Sequence, residues 1–261
     1  MSEDTAPLTL EIVEDHIAVI RLNRPNARNA VNGAFNRTMT GFVDRLEADP
    51  AIRVVILASV SPEFFCAGAD LKEVAAGRVE ELRAAPYGFG GLVDATRTKP
   101  WIAAVNGFAY GGGFELALSC DMILASDDAK FGLPEVKRGL MANAGGVHRS
   151  ARALPRNIAL EMLATGNPID AETGARHGLV NRVVELDALM ESALDLARII
   201  AGNAPLAVAA SFKVGRQVGD RSDAELRRIS RDEAAVVFAS DDAKEGPRAF
   251  VEKRQPQWKG R

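Results

Sequence analysis

The chain has only two cysteines among its 261 residues, Cys66 and Cys120, and they lack the spacing of a metal-ligand pair. Two cysteines are too few for a disulfide scaffold, so both are expected to be reduced, buried small residues. No apolar run approaches the roughly 18 residues that a membrane-spanning helix needs. These absences argue against a disulfide-rich domain, a cysteine-ligated metal centre and an integral membrane protein.

A charge excess of either sign is also missing. The chain carries 32 Lys and Arg against 35 Asp and Glu, for a formal net charge of −3. This balance argues against nucleic acid or an anionic membrane surface as the main partner. The opening residues 1–7 are acidic and polar, unlike a secretory signal or an Arg-rich transit peptide, so a cytoplasmic protein is expected.

The remaining composition, 47% hydrophobic and 26% charged, is that of an ordinary globular protein. Apolar strands and amphipathic helices alternate through the first two thirds, and almost everything from about residue 188 to 253 has a helical pattern. The predicted elements are strands Leu8–Val13 and Ile17–Leu22, a helix from the Asn32 cap to about Ala48, strand Arg53–Ala58, helices Asp70–Ala76 and Val79–Arg97, strand Trp101–Val105, a helix opening at Gly112 and strand Met122–Ala125. This order predicts an α/β core with a helical C-terminal part.

The most informative segment is the Gly-rich turn at residues 111–113, between an apolar strand and a helix. The first N–H groups of a helix have no intrahelical partner, and the helix dipole adds positive potential at the same place. Because Gly112 has no side chain, a substrate atom can approach its N–H closely. Glu115 lies three residues further on, on the same face of the helix. The segment therefore offers an anion-binding N–H beside a candidate acid or base.

A second turn, Phe64–Lys72, also lies between a strand and a helix. Ala69 in this turn is positioned to donate a second N–H, which with Gly112 would make an oxyanion hole. Glu135 follows Pro134 and supplies a second carboxylate, as expected for an acid–base pair that adds water to a polarised double bond. A lone Glu in a first helical turn also has a simpler role in complementing the helix dipole. Phosphate-binding patterns are absent, since neither a P-loop nor G-x-G-x-x-G occurs.

Several segments resemble the enoyl-CoA hydratase/isomerase (crotonase) superfamily, in order and over almost the whole chain. They are Ile102–Gly107, Gly111–Glu115, Cys120–Asp121, Phe131–Glu135, Gly145–Gly146, Glu161–Gly166, Ala175–Val183 and the stretch from Glu245 to Trp258. The resemblance implies a crotonase-like spiral of β-β-α units in residues 1–200 and a helical C-terminal trimerisation region in residues 201–261. It also implies a homotrimer, or a hexamer built as a dimer of trimers.

The same resemblance assigns roles to individual residues. The N–H groups of Ala69 and Gly112 match the oxyanion hole for the thioester carbonyl of an acyl-CoA, and Glu115 and Glu135 match the two catalytic glutamates of hydratases. The residues that match the family's CoA-contacting segment are Ala67, Ala69, Asp70, Leu71 and Lys72. Phe250 and Lys253 match C-terminal positions that approach CoA, although Lys253 also fits a solvated lysine on an exposed helix.

The resemblance implies an enoyl-CoA hydratase that adds water reversibly to a trans-2-enoyl-CoA, in fatty-acid, branched-acyl or sterol side-chain breakdown. Glu115 would take a proton from the attacking water while Glu135 delivers one to the α-carbon. No metal or redox cofactor is expected, because the thioester already activates the double bond. Family members of other chemistries often replace one or both glutamates, so their joint presence favours hydration or its reverse.

One loop departs from the family pattern. Many hydratases carry Pro-Gly-x-Gly-Gly after the second glutamate, whereas residues 142–146 here read Ala-Asn-Ala-Gly-Gly. Asn143 is either a turn residue or a contact for water or for a polar substrate group. The segment from Pro134 to Leu140 resembles hydratases of branched, ring-bearing or carnitine-like acyl groups. Candidates for the acyl pocket, with core packing as the alternative, are Tyr87, Phe89, Leu92 and Met141.

Three other functions remain open. Two belong to the same superfamily, namely a carnitinyl-CoA-type dehydratase and a 3,2-enoyl-CoA isomerase, which needs only one base. The third is RNA binding, because some superfamily members bind RNA. That function calls for a basic stripe, and the modest candidates Arg227, Arg228 and Arg231 are interleaved with acidic residues.

Overall fold

The computed structural model describes residues 6–84 and 86–261. The strands are β1 (Leu8–Val13), β2 (Ile17–Leu22), β3 (Val54–Ser59), β4 (Trp101–Val105), β5 (Phe108–Tyr110), β6 (Met122–Ser126), β7 (Lys130–Gly132), β8 (Ile169–Asp170) and β9 (Arg182–Val184). The helices are α1 (Gly33–Ala48), α2 (Leu71–Ala75), α3 (Val79–Leu82), α4 (Gly112–Ser119), α5 (Gly146–Ala153), α6 (Arg156–Thr165), α7 (Ala171–Arg176), α8 (Leu189–Ala201), α9 (Pro205–Gly215), α10 (Asp223–Ala239) and α11 (Asp241–Glu252).

A six-stranded sheet with the order β1-β2-β3-β4-β6-β9 forms the centre of the molecule. The predicted strands β1 and β2 pair antiparallel, and every other neighbouring pair in this sheet is parallel. Strand β4 is buried at all five residues, as is β3 at all but Ser59, which explains their continuous apolar sequences. The carboxyl ends of these parallel strands therefore lie along one edge, where the Gly-rich turns begin.

A second sheet, β5-β7-β8, receives the chain after β4 and again after β6. Strand β4 leads into β5 and then α4, and β6 leads into β7 in the same way. This alternation is the predicted spiral of β-β-α units, so the predicted α/β fold class is confirmed. An isolated bridge from Cys66 to Ala109 connects the Ala69 turn to β5, and a second bridge pairs Ala69 with Val31 just before α1.

Helix α1 forms as predicted from the Asn32 cap to Ala48 and buries one apolar face. Phe35, Met39, Val43 and Leu46 are buried in the core that α1 shares with the large sheet, whereas Phe42 is only half-buried. The Asn32 side chain caps the helix by accepting a hydrogen bond from the Phe35 N–H at 2.9 Å. On the other face of the sheet, α8 buries small alanines against β2, β3 and β4.

The predicted helix Val79–Arg97 is wrong. Only α3 forms, and a short 3₁₀ turn at Phe89–Gly91 follows it. Gly88, Gly90 and Gly91 all have positive φ, which a right-handed helix does not tolerate. Gly91 also packs so closely against the Asn36 carbonyl that a Cβ would collide with it. The glycines therefore shape a tight turn around Phe89.

The C-terminal part is helical as predicted, with breaks between α8 and α9 and between α9 and α10. Arg216, which follows α9, ties this part to the core through an ion pair with Asp121, its Nε lying 2.7 Å from Oδ1. The division at residue 200 stays a prediction. Among the described residues no single helix has the length and apolarity to cross a membrane. Leu186–Ala201 and Pro205–Gly215, bent by 107°, pass that test only as a pair, by length and composition.

Candidate active site

Helix α4 begins at the predicted Gly-rich turn. Gly111 precedes it with φ 54° and ψ −128°, a conformation that favours glycine, and its N–H donates to the Gly132 carbonyl at 2.9 Å. Gly113 packs against the backbone of Cys66 so closely that any side chain would collide. The glycines therefore let the start of α4 lie directly against the Ala69 turn.

The two predicted oxyanion donors lie side by side. A Cβ at Gly68 would be only 3.0 Å from the Gly112 nitrogen, so the residue before Ala69 touches the first turn of α4. The backbone bonds around Ala69 run from the Val31 N–H to the Gly68 carbonyl and from the Asp70 N–H to the Val31 carbonyl. Within residues 6–84 and 86–261, these bonds leave the N–H groups of Ala69 and Gly112 without an acceptor. The pair can therefore bind an oxyanion.

Glu115 is buried in the first turn of α4, with 3% of its surface exposed. Its Oε1 accepts hydrogen bonds from the N–H of Ala144 at 2.7 Å and from the N–H of Gly146 at 2.8 Å. Burial is the main reason that the pKa of Glu115 is raised to about 7; the nearby Glu135 contributes to the rise, and the two N–H donors oppose it. A carboxyl group with this pKa can accept or donate a proton near neutral pH.

Glu135 approaches the same helix start from the 3₁₀ turn Pro134–Arg138. A Cβ at Gly111 would lie 2.7 Å from its Oε1, which places this carboxyl group against the turn that opens α4. Its Oε2 is buried without a hydrogen-bond partner in the described chain. Burial raises the pKa of Glu135 as well. The structure thus brings both predicted glutamates to the oxyanion donors.

Phe89 covers the oxyanion turn. Its ring lies against Gly112 so closely that a Cβ there would collide with it. Phe89 and Leu92 are buried in the main core, whereas Met141 is 66% exposed and Tyr87 is half-buried. Of the four acyl-pocket candidates, Phe89 is therefore the one whose position at the oxyanion donors the structure establishes.

The predicted CoA-contacting segment continues from Ala69 into α2. Asp70 caps this helix, its Oδ1 accepting from the Lys72 N–H at 3.2 Å, and pairs with Arg24 at 3.3 Å. The Ala67 N–H donates to the Arg28 carbonyl at 3.0 Å. Leu71 and Lys72 are exposed beside the turn. Asp70 thus has a structural role that sequence reasoning did not assign, and a role of the segment in CoA binding stays a prediction.

Three predicted site residues have no hydrogen bond or ion pair through their side chains within the described chain. Phe250 lies near the end of α11 with 85% of its surface exposed, and Lys253 follows that helix in the left-handed region at φ 53°. Asn143 is exposed beside Ala144, whose N–H binds Glu115. The contacts predicted for these three residues stay predictions.

Other ligand classes find little support in the described part of the chain. No three His, Cys, Asp or Glu side chains there come close enough to hold a metal ion. On α10, Arg227 pairs with Asp223 at 2.7 Å and Arg228 with Asp232 at 3.8 Å. These ion pairs neutralise two of the three arginines considered for RNA binding.

Comparison with known proteins decides the family. The model of the enoyl-CoA hydratase/isomerase family matches residues 13–261. The chain belongs to this family. A carnitinyl-CoA dehydratase of Proteus mirabilis is 44% identical over 247 residues, covering 93% of this chain and 94% of the relative.

Two solved structures extend the comparison. An enoyl-CoA hydratase from Mycobacterium tuberculosis H37Rv superposes with a TM-score of 0.94 at 40% identity, covering 98% of this chain and 100% of that one. A carnitinyl-CoA hydratase from Mycobacterium avium gives a TM-score of 0.77 at 43% identity, with the same coverage. This member of the enoyl-CoA hydratase/isomerase family is therefore an acyl-CoA lyase of the hydratase/dehydratase type.

Sequence reasoning missed the residues that hold Glu115. The N–H groups of Ala144 and Gly146 bind its Oε1, and the side chain of Arg149 donates to the Ala144 carbonyl at 3.4 Å. Gly145–Gly146 was an available signal, because paired glycines before a helix expose N–H groups. The sequence did not indicate that these groups would point at Glu115.

Proposed function

We propose that the protein is a carnitinyl-CoA-type dehydratase, which eliminates water reversibly from a 3-hydroxyacyl-CoA. The observation that carries the chemistry is that buried Glu115 and half-buried Glu135 meet at the start of α4, beside the N–H groups of Ala69 and Gly112, which have no acceptor within the described residues. The acyl group is inferred from relatives such as the Proteus mirabilis carnitinyl-CoA dehydratase, 44% identical over nearly the whole chain.

In the dehydration direction, the N–H groups of Ala69 and Gly112 hold the thioester oxygen as it gains negative charge. Ionised Glu135 removes the α-proton, the protonated carboxyl of Glu115 donates a proton to the β-hydroxyl, and the C–O bond breaks to release water. The C–H electron pair becomes the new double bond. We expect no metal or redox cofactor to be needed, since the thioester acidifies the α-proton and no electrons are exchanged with a cofactor.

The geometry supports this division of roles. Two N–H donors fix Oε1 of Glu115, so Oε2 is the oxygen available to the reacting water or hydroxyl group. The pKa of Glu115, raised to about 7, lets it cycle between acid and base near neutrality. For carnitinyl-CoA the β-hydroxyl lies beside a trimethylammonium group, and the electron-rich face of an aromatic ring attracts such a cation. Phe89 supplies a ring near the oxyanion donors.

A substrate panel tests the proposal. Purified protein is given carnitinyl-CoA, 3-hydroxybutanoyl-CoA and a long-chain 3-hydroxyacyl-CoA, and elimination is followed by the absorbance of the conjugated thioester. We expect kcat/KM to be highest for carnitinyl-CoA. A preference for either uncharged substrate would overturn the assignment of the acyl group but would leave the hydro-lyase chemistry in place.

A general enoyl-CoA hydratase is the second candidate, favoured by the 0.94 TM-score to the Mycobacterium tuberculosis enzyme. In the same assay, this candidate predicts efficient turnover of uncharged acyl chains. An isomerase requires only one base, so it would retain activity after the loss of one glutamate. Glu115→Gln and Glu135→Gln, each assayed for hydration and for double-bond migration, separate it from the other two.

A further inference from the structure

Arg149 lies in the first turns of α5 and extends back across the loop that precedes the helix. Its Nη1 donates to the Ala144 carbonyl at 3.4 Å and its Nη2 to the Val93 carbonyl at 2.6 Å. A Cβ at Gly145 would lie 2.6 Å from Nη1, so the loop backbone wraps around the guanidinium. One side chain therefore joins this loop to a segment about fifty residues earlier in the chain.

The first of these contacts lies directly behind the catalytic carboxyl group. Ala144 accepts from Arg149 through its carbonyl and donates through its N–H to Oε1 of Glu115. Gly146, which provides the other donor to Oε1, begins the helix that carries Arg149. With its carbonyl held on one side, residue 144 keeps its N–H directed at the carboxylate on the other.

The second contact reaches the wall that covers the oxyanion donors. The Val93 N–H donates to the Phe89 carbonyl at 3.3 Å, and the Phe89 ring lies over Gly112. Through Val93, Arg149 is therefore connected to the turn beside the thioester site. Its two carbonyl contacts join the two halves of the active site.

Charged and ionisable groups surround both residues. The groups near Arg149 are Asp94, Arg97, Glu115 and Cys120. The charged groups near Glu115 are Glu135 and Arg149. Burial lowers the pKa of Arg149, while Asp94 raises it. A guanidinium near Glu115 favours its ionised form and so opposes the effect of burial.

We propose that Arg149 is a positioning residue for Glu115, which orients the Ala144 N–H towards the carboxylate and fixes its distance from the oxyanion turn. The proposal rests on the proposed function in one respect, the proton transfer by Glu115. The planar guanidinium holds its N–H donors in a rigid fork, so two of its nitrogens can each bind a different carbonyl. A lysine ammonium is a compact charge on one nitrogen and does not reproduce this geometry. The residue type therefore matters as well as the charge.

The first experiment measures turnover against pH for Arg149→Met and Arg149→Lys. Arg152→Met is the matched control, because Arg152 is on the same helix but pairs with exposed Asp220 at 2.6 Å. We expect Arg149→Met to lower kcat by about 100-fold, the scale of a misplaced catalytic group. In Arg149→Met, the midpoint of the pH profile that reports the titration of Glu115 should rise by about half a pH unit, because the variant loses a cation near that carboxyl group.

Arg149→Lys keeps the charge and tests the geometry, and it serves if the Met variant does not fold. We expect it to lower kcat with a midpoint close to that of the wild type and with little change in KM. Arg152→Met should match the wild type in both quantities. The proposal would be overturned if folded Arg149→Met had the kcat and the pH midpoint of the wild type. It would also be overturned if Arg149→Lys had the kcat of the wild type.

A second experiment does not depend on turnover. The free energy of unfolding is measured from pH 5 to 9 for the wild type, Glu115→Gln, Arg149→Met and the double variant. When a carboxyl group has a raised pKa in the folded protein, the free energy of unfolding falls as pH rises, because the folded state holds the proton more tightly than the unfolded state. The fall stops once the pH exceeds the folded-state pKa. The advantage of Glu115→Gln over the wild type should therefore grow with pH and level off above about pH 7.

In the Arg149→Met background, this levelling should occur at a higher pH. Levelling at the same pH in both backgrounds would contradict the proposal. If the wild-type protein turns over none of the tested thioesters, the proposed function fails while this comparison still decides the role of Arg149.

Discussion

Glu115 is buried and Glu135 is half-buried with its Oε2 buried, and the protein satisfies their oxygens differently. Oε1 of Glu115 accepts two backbone N–H groups, whereas Oε2 of Glu135 has no donor within the described chain. A buried carboxylate oxygen without a donor favours the protonated form, while two N–H donors favour the ionised one. The two groups therefore hold and release protons under different local control, as an acid–base pair must.

The pH dependence of turnover follows from Glu115. Each direction needs the glutamate pair to hold one proton, on Glu115 for dehydration and on Glu135 for hydration. Because the pKa of Glu115 is raised to about 7, kcat/KM should fall above about pH 7. The fall should be parallel in the two directions, since the reaction takes up and releases no net proton. Rates measured in both directions from pH 5 to 9 check this. A kcat/KM that stays constant from pH 5 to 9 would contradict the assigned roles.

Gly112 should not accept a side chain. In Gly112→Ala the new Cβ collides with the Phe89 ring, so the ring or the N–H donor must shift. We expect kcat to fall by about 100-fold or more, comparable to the loss of one oxyanion donor. Gly41→Ala is the control, because a Cβ in that exposed helical position meets nothing within 4 Å. That variant should keep full activity and gain up to about 1 kcal/mol of stability.

At the residue scale, the sequence revealed the groups whose position depends on local structure. A strand, a Gly-rich turn and a helix predict both the exposed N–H of Gly112 and the face that carries Glu115. The donors to Glu115 come from Ala144 and Gly146, about thirty residues later, and their direction depends on tertiary packing. The sequence pattern could not show this arrangement, nor the pairing of Asp70 with Arg24.

At the scale of elements, helix α1 supports the turn that carries Phe89. The Asn36 side chain is buried and donates to the carbonyls of Leu82 at 2.9 Å and Gly88 at 2.8 Å. These bonds hold Leu82 at the end of α3 and Gly88 at the start of the 3₁₀ turn that carries Phe89. The predicted long helix Val79–Arg97 could not form here because three glycines adopt positive φ.

Asn36→Ala should loosen that turn. It leaves the buried Leu82 carbonyl and the part-buried Gly88 carbonyl without their donor, at a cost of about 1–3 kcal/mol in the free energy of unfolding. We expect KM to rise because Phe89 loses its fixed position. Asn32→Ala is the control, because it removes the helix cap for about 1 kcal/mol without touching the turn. Equal KM values in the two variants would show that Asn36 only stabilises the fold.

At the scale of the whole molecule, the C-terminal helices expose large apolar side chains. Phe238 is 76% exposed, Phe250 85% and Val251 79%. Large apolar side chains left exposed near the ends of α10 and α11 fit an interface between subunits. We propose that they contribute to the trimer, or pair of trimers, that the family resemblance implies.

Light scattering after gel filtration tests this assembly. The wild-type protein should elute as a trimer or hexamer, and Phe238→Glu should shift it towards the monomer, because burying an unpaired charge in an interface is costly. Val60→Glu is the matched control, since Val60 is 40% exposed just after β3 and belongs to neither α10 nor α11. A monomeric wild-type protein would contradict the proposed assembly.

The most direct test of the glutamate pair is single-turnover elimination of water from carnitinyl-CoA and from 3-hydroxybutanoyl-CoA. It is measured for the wild type, Glu115→Gln, Glu135→Gln and the exposed control Glu161→Gln. The account predicts that each active-site change lowers the rate by at least about 100-fold on whichever substrate is used, because acid and base catalysis each contribute that much, and that Glu161→Gln has no effect. Elimination at the wild-type rate after the loss of either Glu115 or Glu135 would contradict it.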